Sequence, residues 1–238
     1  MEKMSVIIPC YNEEESLAKL FDKLSDLDTQ ISKVIETKYI FVDDGSQDRT
    51  LELLNKNKSC LKNAVILEHA VNQNLGKALQ TGIGALEDEN YVAFLDSDCT
   101  YEPSLVIGML EKLKEGYDIV TVSPYHPEGN VEGVPEWRLF LSKGISLIYR
   151  VLLWKKMYTF TAMVRIYRRD KIDVLVGTRS DFAFVAEMMI SAIKRKYRIF
   201  EVPTTLYQRE FGVSKMRLIN TIKAHLEIVW KLLTRKNF

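Results

Sequence analysis

Tyr91-Val92-Ala93-Phe94-Leu95-Asp96-Ser97-Asp98-Cys99-Thr100-Tyr101 decides the reading of this chain. Its first five residues are an apolar, partly β-branched run of strand length, and the run stops at two carboxylates spaced by one residue. Like charges this close repel. A divalent cation bridging a diphosphate relieves the repulsion, because carboxylate and phosphate oxygens are the hard ligands of Mg²⁺ and Mn²⁺. A strand-end pair that caps the next helix is the competing explanation. Two other strand ends tip the balance: Asp43-Asp44-Gly45-Ser46, and Pro9-Cys10-Tyr11-Asn12-Glu13.

Working outward, the same unit repeats. Strands are expected at 4–9, 39–42, 64–68, 91–95 and 119–123, alternating with helices at 13–24, 48–57, 75–86 and 104–114, the second capped by Asp48. Such alternation implies an α/β fold, a mainly parallel sheet flanked by helices. Ligands of such sheets sit beyond the carboxyl ends of the strands. The three motifs fall at those ends and so share one edge.

No G-x-G-x-x-G or G-x-x-x-x-G-K-[ST] loop is present, which disfavours a dinucleotide or P-loop enzyme. Lys77 in Asn74-Leu75-Gly76-Lys77 is either a phosphate contact or part of a helix start. Residues 124–135 hold three prolines and two glycines and are expected to form a loop over the site. Residues 137–154 form an apolar helix with one polar stripe: Arg138, Ser142, Ser146 and Arg150. Core packing is the default expectation for it; a lipid surface, with the stripe toward the protein, is the alternative. Residues 218–233 are amphipathic, facing either the protein's own core, a membrane surface or another subunit.

The 238 residues suffice for one large domain, and a net charge of +1 argues against nucleic-acid binding. Residues 191–238 nevertheless carry eleven Lys/Arg against three Asp/Glu, a bias suited to phosphates or an anionic membrane. Three cysteines without metal-ligand spacing suit a reducing compartment. The opening residues lack a cationic leader with an apolar run, and no charge-free stretch has the length of a membrane span. A cytoplasmic protein, peripheral at the membrane face, is the expectation.

Together, Val6-Ile7-Ile8-Pro9-Cys10-Tyr11-Asn12-Glu13-Glu14, Phe41-Val42-Asp43-Asp44-Gly45-Ser46 and Leu95-Asp96-Ser97-Asp98 resemble the family 2 glycosyltransferases of GT-A fold. Residues 129–138 with 142–144, and Arg209-Glu210-Phe211-Gly212-Val213-Ser214-Lys215, resemble a narrower group, the dolichol-phosphate mannose synthases and related polyprenyl-phosphate glycosyltransferases. The resemblance covers residues up to about 215, implying a GT-A domain over 1–215 with 216–238 as a helical appendage. It implies metal-dependent, inverting transfer of a hexose from a GDP- or UDP-linked donor to a polyprenyl phosphate. A membrane surface or membrane anchor subunit would be a partner.

By matching position, the resemblance places Pro9, Tyr11, Glu13, Val42 and Asp44 around the nucleoside. Asp96 and Asp98 hold Mg²⁺ or Mn²⁺, and Ser97 adds backbone contacts. Arg209 and Lys215 grip the donor phosphates, while Arg138 and Ser142 meet the acceptor phosphate. Asp98, Arg209 and Lys215 carry the catalytic role. Two positions depart from the pattern: Thr100 replaces a metal-binding Gln, and Pro124 replaces a phosphate-binding Arg. A glycan, lipid or small hydroxylated acceptor, and an inactive scaffold, are the alternatives. Asp181 and Glu187 lie near where other members keep a base, with ion pairing or helix capping as their expected roles.

Overall fold

The computed structural model describes residues 1–211 and 218–234. The chain runs β1 (Lys3–Cys10), α1 (Leu17–Ile31), β2 (Glu36–Asp43), α2 (Thr50–Asn57), β3 (Ala64–Glu68), α3 (Leu75–Gly84), β4 (Tyr91–Phe94), α4 (Leu105–Lys114) and β5 (Ile119–Ser123). It continues through β6 (Asn130–Glu132), α5 (Glu136–Leu152), β7 (Arg165–Arg168), α6 (Arg169–Ile172), α7 (Phe184–Lys194), β8 (Ile199–Pro203), β9 (Thr205–Tyr207) and α8 (Leu218–Leu233). Seven strands form one sheet in the order β3-β2-β1-β4-β7-β5-β8, in which only β7 runs antiparallel to its neighbours. β6 and β9 make a separate parallel pair.

Strand alternation feeds two cores. Met4, Val6 and Ile8 of β1, with Tyr39 and Phe41 of β2, share one core with Leu20 and Leu24 of α1 and Met109 and Leu113 of α4. The intervening Ile7, Ile40 and Val42 enter the opposite core with Ala78 and Leu79 of α3 and Phe184, Met188 and Met189 of α7. β1 lies between β2 and β4, with the chain leaving to either side. That reversal opens a crevice at the strands' carboxyl ends.

The expected α/β architecture is present, and β3 and β5 have the expected bounds. α1 begins at Leu17 rather than near 13, because Glu13 to Ser16 make a turn in which Ser16 N–H donates to Glu13 O at 3.0 Å. Asp48 serves α2 from two residues before it, its Oδ1 accepting the Thr50 N–H at 2.9 Å. The 124–135 loop contains β6.

Core packing of α5 is overturned. Only Ser146 and Tyr149 of this helix are buried, while Trp137, Phe140, Leu147, Ile148 and Val151 are exposed. The physical reason is the polar stripe: Arg138 and Ser142 face a cavity and Ser146 Oγ accepts the Phe160 N–H at 3.4 Å, so the apolar side is left outward. α8 packs on α5 and does likewise. It buries Ala224 and Ile228 but exposes Ile219, Ile222, Leu226, Trp230 and Leu233. Among the described residues no helix is long and apolar enough to cross a membrane.

β7 carries a buried cation. Arg165 is wholly inaccessible, and its guanidinium donates to Phe160 O at 2.7 Å, to Val185 O and to Thr121 Oγ1. A buried cation is tolerated only when its donors are satisfied, and here they tie β7 to β5 and α7.

Candidate active site

A cavity of about 1100 Å³ opens at the carboxyl ends of β1, β2 and β4. Pro9, Tyr11, Glu13, Asp44, Asp96, Ser97, Asp98, Arg138, Ser142 and Arg209 all line it. Val42 does not; it is fully buried beneath α3. Lys215 lies outside the described residues. Thr100 and Pro124, the two departures, both line the cavity.

The strand ends are bound to one another before any ligand arrives. Asn12, at φ +52°, accepts the Gln47 N–H on Oδ1 at 2.7 Å, and its own N–H reaches Ser46 Oγ at 3.0 Å. Glu13 N–H donates to Thr50 Oγ1 at 2.7 Å. The loops after β1 and β2 are therefore tied to each other by three hydrogen bonds. After β4, Cys99 takes φ +54°, a conformation unfavourable for a residue with a Cβ. Strain of this kind is often kept at ligand sites. Here it turns the chain so that the Thr100 N–H donates to Asp98 Oδ1 at 3.1 Å.

Charges converge at this end. Arg209 pairs with Glu13, and its Nε lies 3.7 Å from Asp98 Oδ2. Withdrawal from water, and then the charge of Asp98, hold the Asp96 carboxyl well above the usual carboxylate range, with Arg209 opposing. Burial also raises Glu13, outweighing the Arg209 guanidinium. Among the described residues no three His, Cys, Asp or Glu side chains form a ready-made metal cage. Two carboxylates left for a cation whose other ligands are phosphate and water suit Mg²⁺ or Mn²⁺, so the donor set fits such an ion.

The other end of the cavity differs in chemistry. Tyr125, just past β5, is hydrogen-bonded to Ser142, whose Oγ is 3.0 Å from Thr161 Oγ1. Arg138 is close enough to act on the Tyr125 hydroxyl electrostatically, although burial raises that hydroxyl's pKa overall. Beyond them Trp137, Phe140, Ile148, Ile222 and Leu226 line the cavity and are also exposed, so its wall runs into the outer apolar face of α5 and α8.

Sequence reasoning missed Tyr125 and Thr161. Tyr125 could have been found from its place at a strand's carboxyl end; Thr161 precedes β7, a strand the reading did not anticipate. Lys77 is not in the cavity wall, and the Gly76 and Lys77 amides at the start of α3 donate to Ser180 O at 2.7 and 3.3 Å. Asp181 makes the ion pair and the helix-start contact expected of it, and it also lines the cavity. Its Oδ1 accepts the Ala183 N–H at 2.9 Å and its Oδ2 lies 2.6 Å from Arg179 Nη2.

Comparison with known proteins agrees with this geometry. Residues 5–176 match the family described as glycosyl transferase family 2. Polyprenol monophosphomannose synthase of Mycolicibacterium smegmatis is 30% identical over 233 residues, covering 95% of this chain and 86% of that protein. Undecaprenyl-phosphate 4-deoxy-4-formamido-L-arabinose transferase of Salmonella choleraesuis is 31% identical over 225 residues, 92% of this chain but only 65% of the relative's length. Glucosyl-3-phosphoglycerate synthase from Mycobacterium tuberculosis, crystallised with Mn²⁺, uridine diphosphate and glucosyl-3-phosphoglycerate, superposes with a TM-score of 0.69 over 98% of this chain and 78% of that one. At 18% identity that likeness concerns the fold. With its parallel sheet, its carboxylates at the strand ends and a family match over most of its length, the chain belongs to the family 2 glycosyltransferases of GT-A fold.

Proposed function

We propose that this glycosyltransferase moves a hexose from a nucleotide diphosphate sugar, GDP- or UDP-linked, to a polyprenyl phosphate at a membrane surface. One observation carries the reading: a single cavity joins the Asp96, Asp98 and Arg209 cluster to an apolar wall continuous with the exposed face of α5 and α8. A water-soluble donor suits the first end. A phosphate on a long apolar chain suits the second, and the names of the two curated relatives support such an acceptor.

The roles follow from charge. Pro9, Tyr11, Glu13 and Asp44 surround the nucleoside, and Arg209 and Lys215 hold the diphosphate, Arg through paired donors and Lys as a point charge. Asp96 and Asp98 would hold a divalent cation, which when bound neutralises charge on the departing diphosphate. Arg138 and Ser142, with Tyr125, receive the acceptor phosphate. An acceptor oxygen, already ionised at neutral pH, attacks the anomeric carbon from the face opposite the diphosphate. The bond to the diphosphate breaks, its electron pair leaves on the diphosphate oxygen, and the configuration inverts. No base is needed, which agrees with Asp181 being held by Arg179. Rate enhancement comes from positioning and from preorganised cations.

The test is release of nucleoside diphosphate from GDP- and UDP-hexoses with and without polyprenyl phosphate in detergent. Release that requires the lipid phosphate supports the reading. Release with a glycan or small hydroxylated acceptor instead, or none with any donor, overturns it.

A further inference from the structure

His69 lies outside every motif above, yet its side chain is 7% exposed and it touches the cavity-lining Asp44, itself 4% exposed. Nδ1 of His69 is 2.7 Å from Asp44 Oδ1, and Nε2 is 2.8 Å from Thr81 Oγ1 of α3. The Gln73 N–H donates to the same Asp44 oxygen at 2.9 Å. Both backbones are anchored: His69 N–H donates to Asp43 O at 2.9 Å and Asp44 N–H to Cys10 O at 2.8 Å.

An ionised carboxylate only accepts, so Nδ1 carries the ring proton. Nε2 faces the Thr81 hydroxyl, which can serve the ring nitrogen as donor or acceptor. Oδ1 of Asp44 is thereby occupied twice. Among the described residues nothing is bonded to Oδ2, which leaves that oxygen as a fixed acceptor toward the cavity.

We infer that His69, held between Thr81 and Asp44 with its Nδ1–H on the carboxylate, is a positioning residue that presents Asp44 to an N–H or O–H of the donor's nucleoside. The inference rests on the proposed donor site. It adds a residue that acts on donor affinity and not on acceptor use, with Asp44 as the group in contact.

Two substitutions separate this from simple packing. Asn places an amide N–H where Nδ1–H stands, whereas Gln reaches toward Thr81 and leaves Asp44 without its ring donor. The full chain, wild type, His69→Asn and His69→Gln, is titrated calorimetrically with UDP and GDP in the presence of Mn²⁺, with thermal melting alongside. The expected result is retention within about threefold for His69→Asn and weakening of about tenfold or more for His69→Gln. KM for the donor should follow, with KM for the acceptor unchanged. Equal weakening by both, or by neither, overturns the inference. Should the variants not fold, long-range ¹H–¹⁵N correlation on the wild type reads the tautomer directly, since the chain has three histidines. A His69 Nδ1 without a proton would refute it. A wild type that binds neither diphosphate removes the donor reading together with this one. Binding without transfer to polyprenyl phosphate removes the acceptor reading alone.

Discussion

Arg209 Nε lies 3.7 Å from Asp98 Oδ2 while the same guanidinium pairs with Glu13, so one cation just past β9 meets acidic groups from the ends of β1 and β4. Asp98 and Glu13 would otherwise repel, and removing one partner of a sequestered pair strands the other's charge. Arg209→Ala should lower turnover by about 10²- to 10³-fold, the scale of losing one preorganised transition-state donor. Arg209→Lys should recover only part of this, because an ammonium cannot span two partners as the guanidinium fork does. Steady-state kinetics check both. In the ligand-free protein Arg209→Ala should also lower Tm, with Glu13→Gln added to it restoring much of the loss. Additive losses would show that the two groups are not coupled.

Gly45 tests how the nucleoside end is built. It takes φ +70°, and a Cβ there would stand 2.5 Å from Val71 C and 2.6 Å from Asn72 N, both backbone atoms that cannot yield cheaply. Gly45→Ala should cost about 1–3 kcal/mol from backbone conformation alone, with the clash adding to it. Displacing the loop 69–73 should also weaken nucleoside diphosphate binding, since Gln73 and His69 hold Asp44. Urea unfolding and calorimetry on the same variant read the two effects; a loss of stability with unchanged affinity would separate the loop from the site.

How much of this was legible in the sequence depends on where each contact lies in the chain. The strands of the first half announce themselves because β1, β2 and β4 are apolar runs that end in acidic or polar motifs at their carboxyl ends. β7 did not, because Arg165 and Arg168 flank its two apolar residues, and a buried Arg165 reads as solvated until Phe160, Val185 and Thr121 are seen around it. The orientation of α5 was open for a different reason. A polar stripe of Arg138, Ser142, Ser146 and Arg150 is compatible with burial or with an outward apolar face, and only the cavity beneath it decides. The partnership of His69 with Asp44 spans 25 residues and belongs to no spacing rule, so nothing local could reveal it.

His225 gives the protein a pH-dependent component of stability. It sits on the inner side of α8, with Nδ1 2.9 Å from the Tyr149 hydroxyl. Burial pushes its pKa down from 6.5 to about 4, Asp181 opposing and Arg179 adding to the shift. A depressed folded-state pKa contributes stability that is complete above the unfolded value of 6.5 and is lost as pH falls toward 4. At most about 3 kcal/mol is at stake, several degrees of Tm for a chain of this size. His225→Asn, which still offers Tyr149 a partner, should therefore melt increasingly above the wild type as pH falls from 6.5 to 4, relative to their difference at pH 7.5. Parallel Tm curves across that range would mean that His225 is not withdrawn from water as the structure has it.

The outward face of α5 and α8 makes the strongest demand on the proposed membrane setting. Leu147 is 59% exposed, Val151 62% and Trp230 63%, on two helices packed against each other, and exposed apolar surface of this kind marks an interaction site. Complete burial of such a side chain is worth about 1.5–3 kcal/mol, so even half-immersion of three of them in lipid amounts to about 3 kcal/mol. Leu147→Ser, Val151→Ser and Trp230→Ser combined should then weaken sedimentation with anionic vesicles about 100-fold, while Kd for nucleoside diphosphate with Mn²⁺ stays at the wild-type value because none of the three lines the cavity. Transfer to polyprenyl phosphate in vesicles should fall with binding, and transfer to a short-chain, water-soluble prenyl phosphate should not. Undiminished vesicle binding would assign the face to a protein partner. Equal loss with both acceptors would place these side chains in the acceptor site itself and not on the membrane.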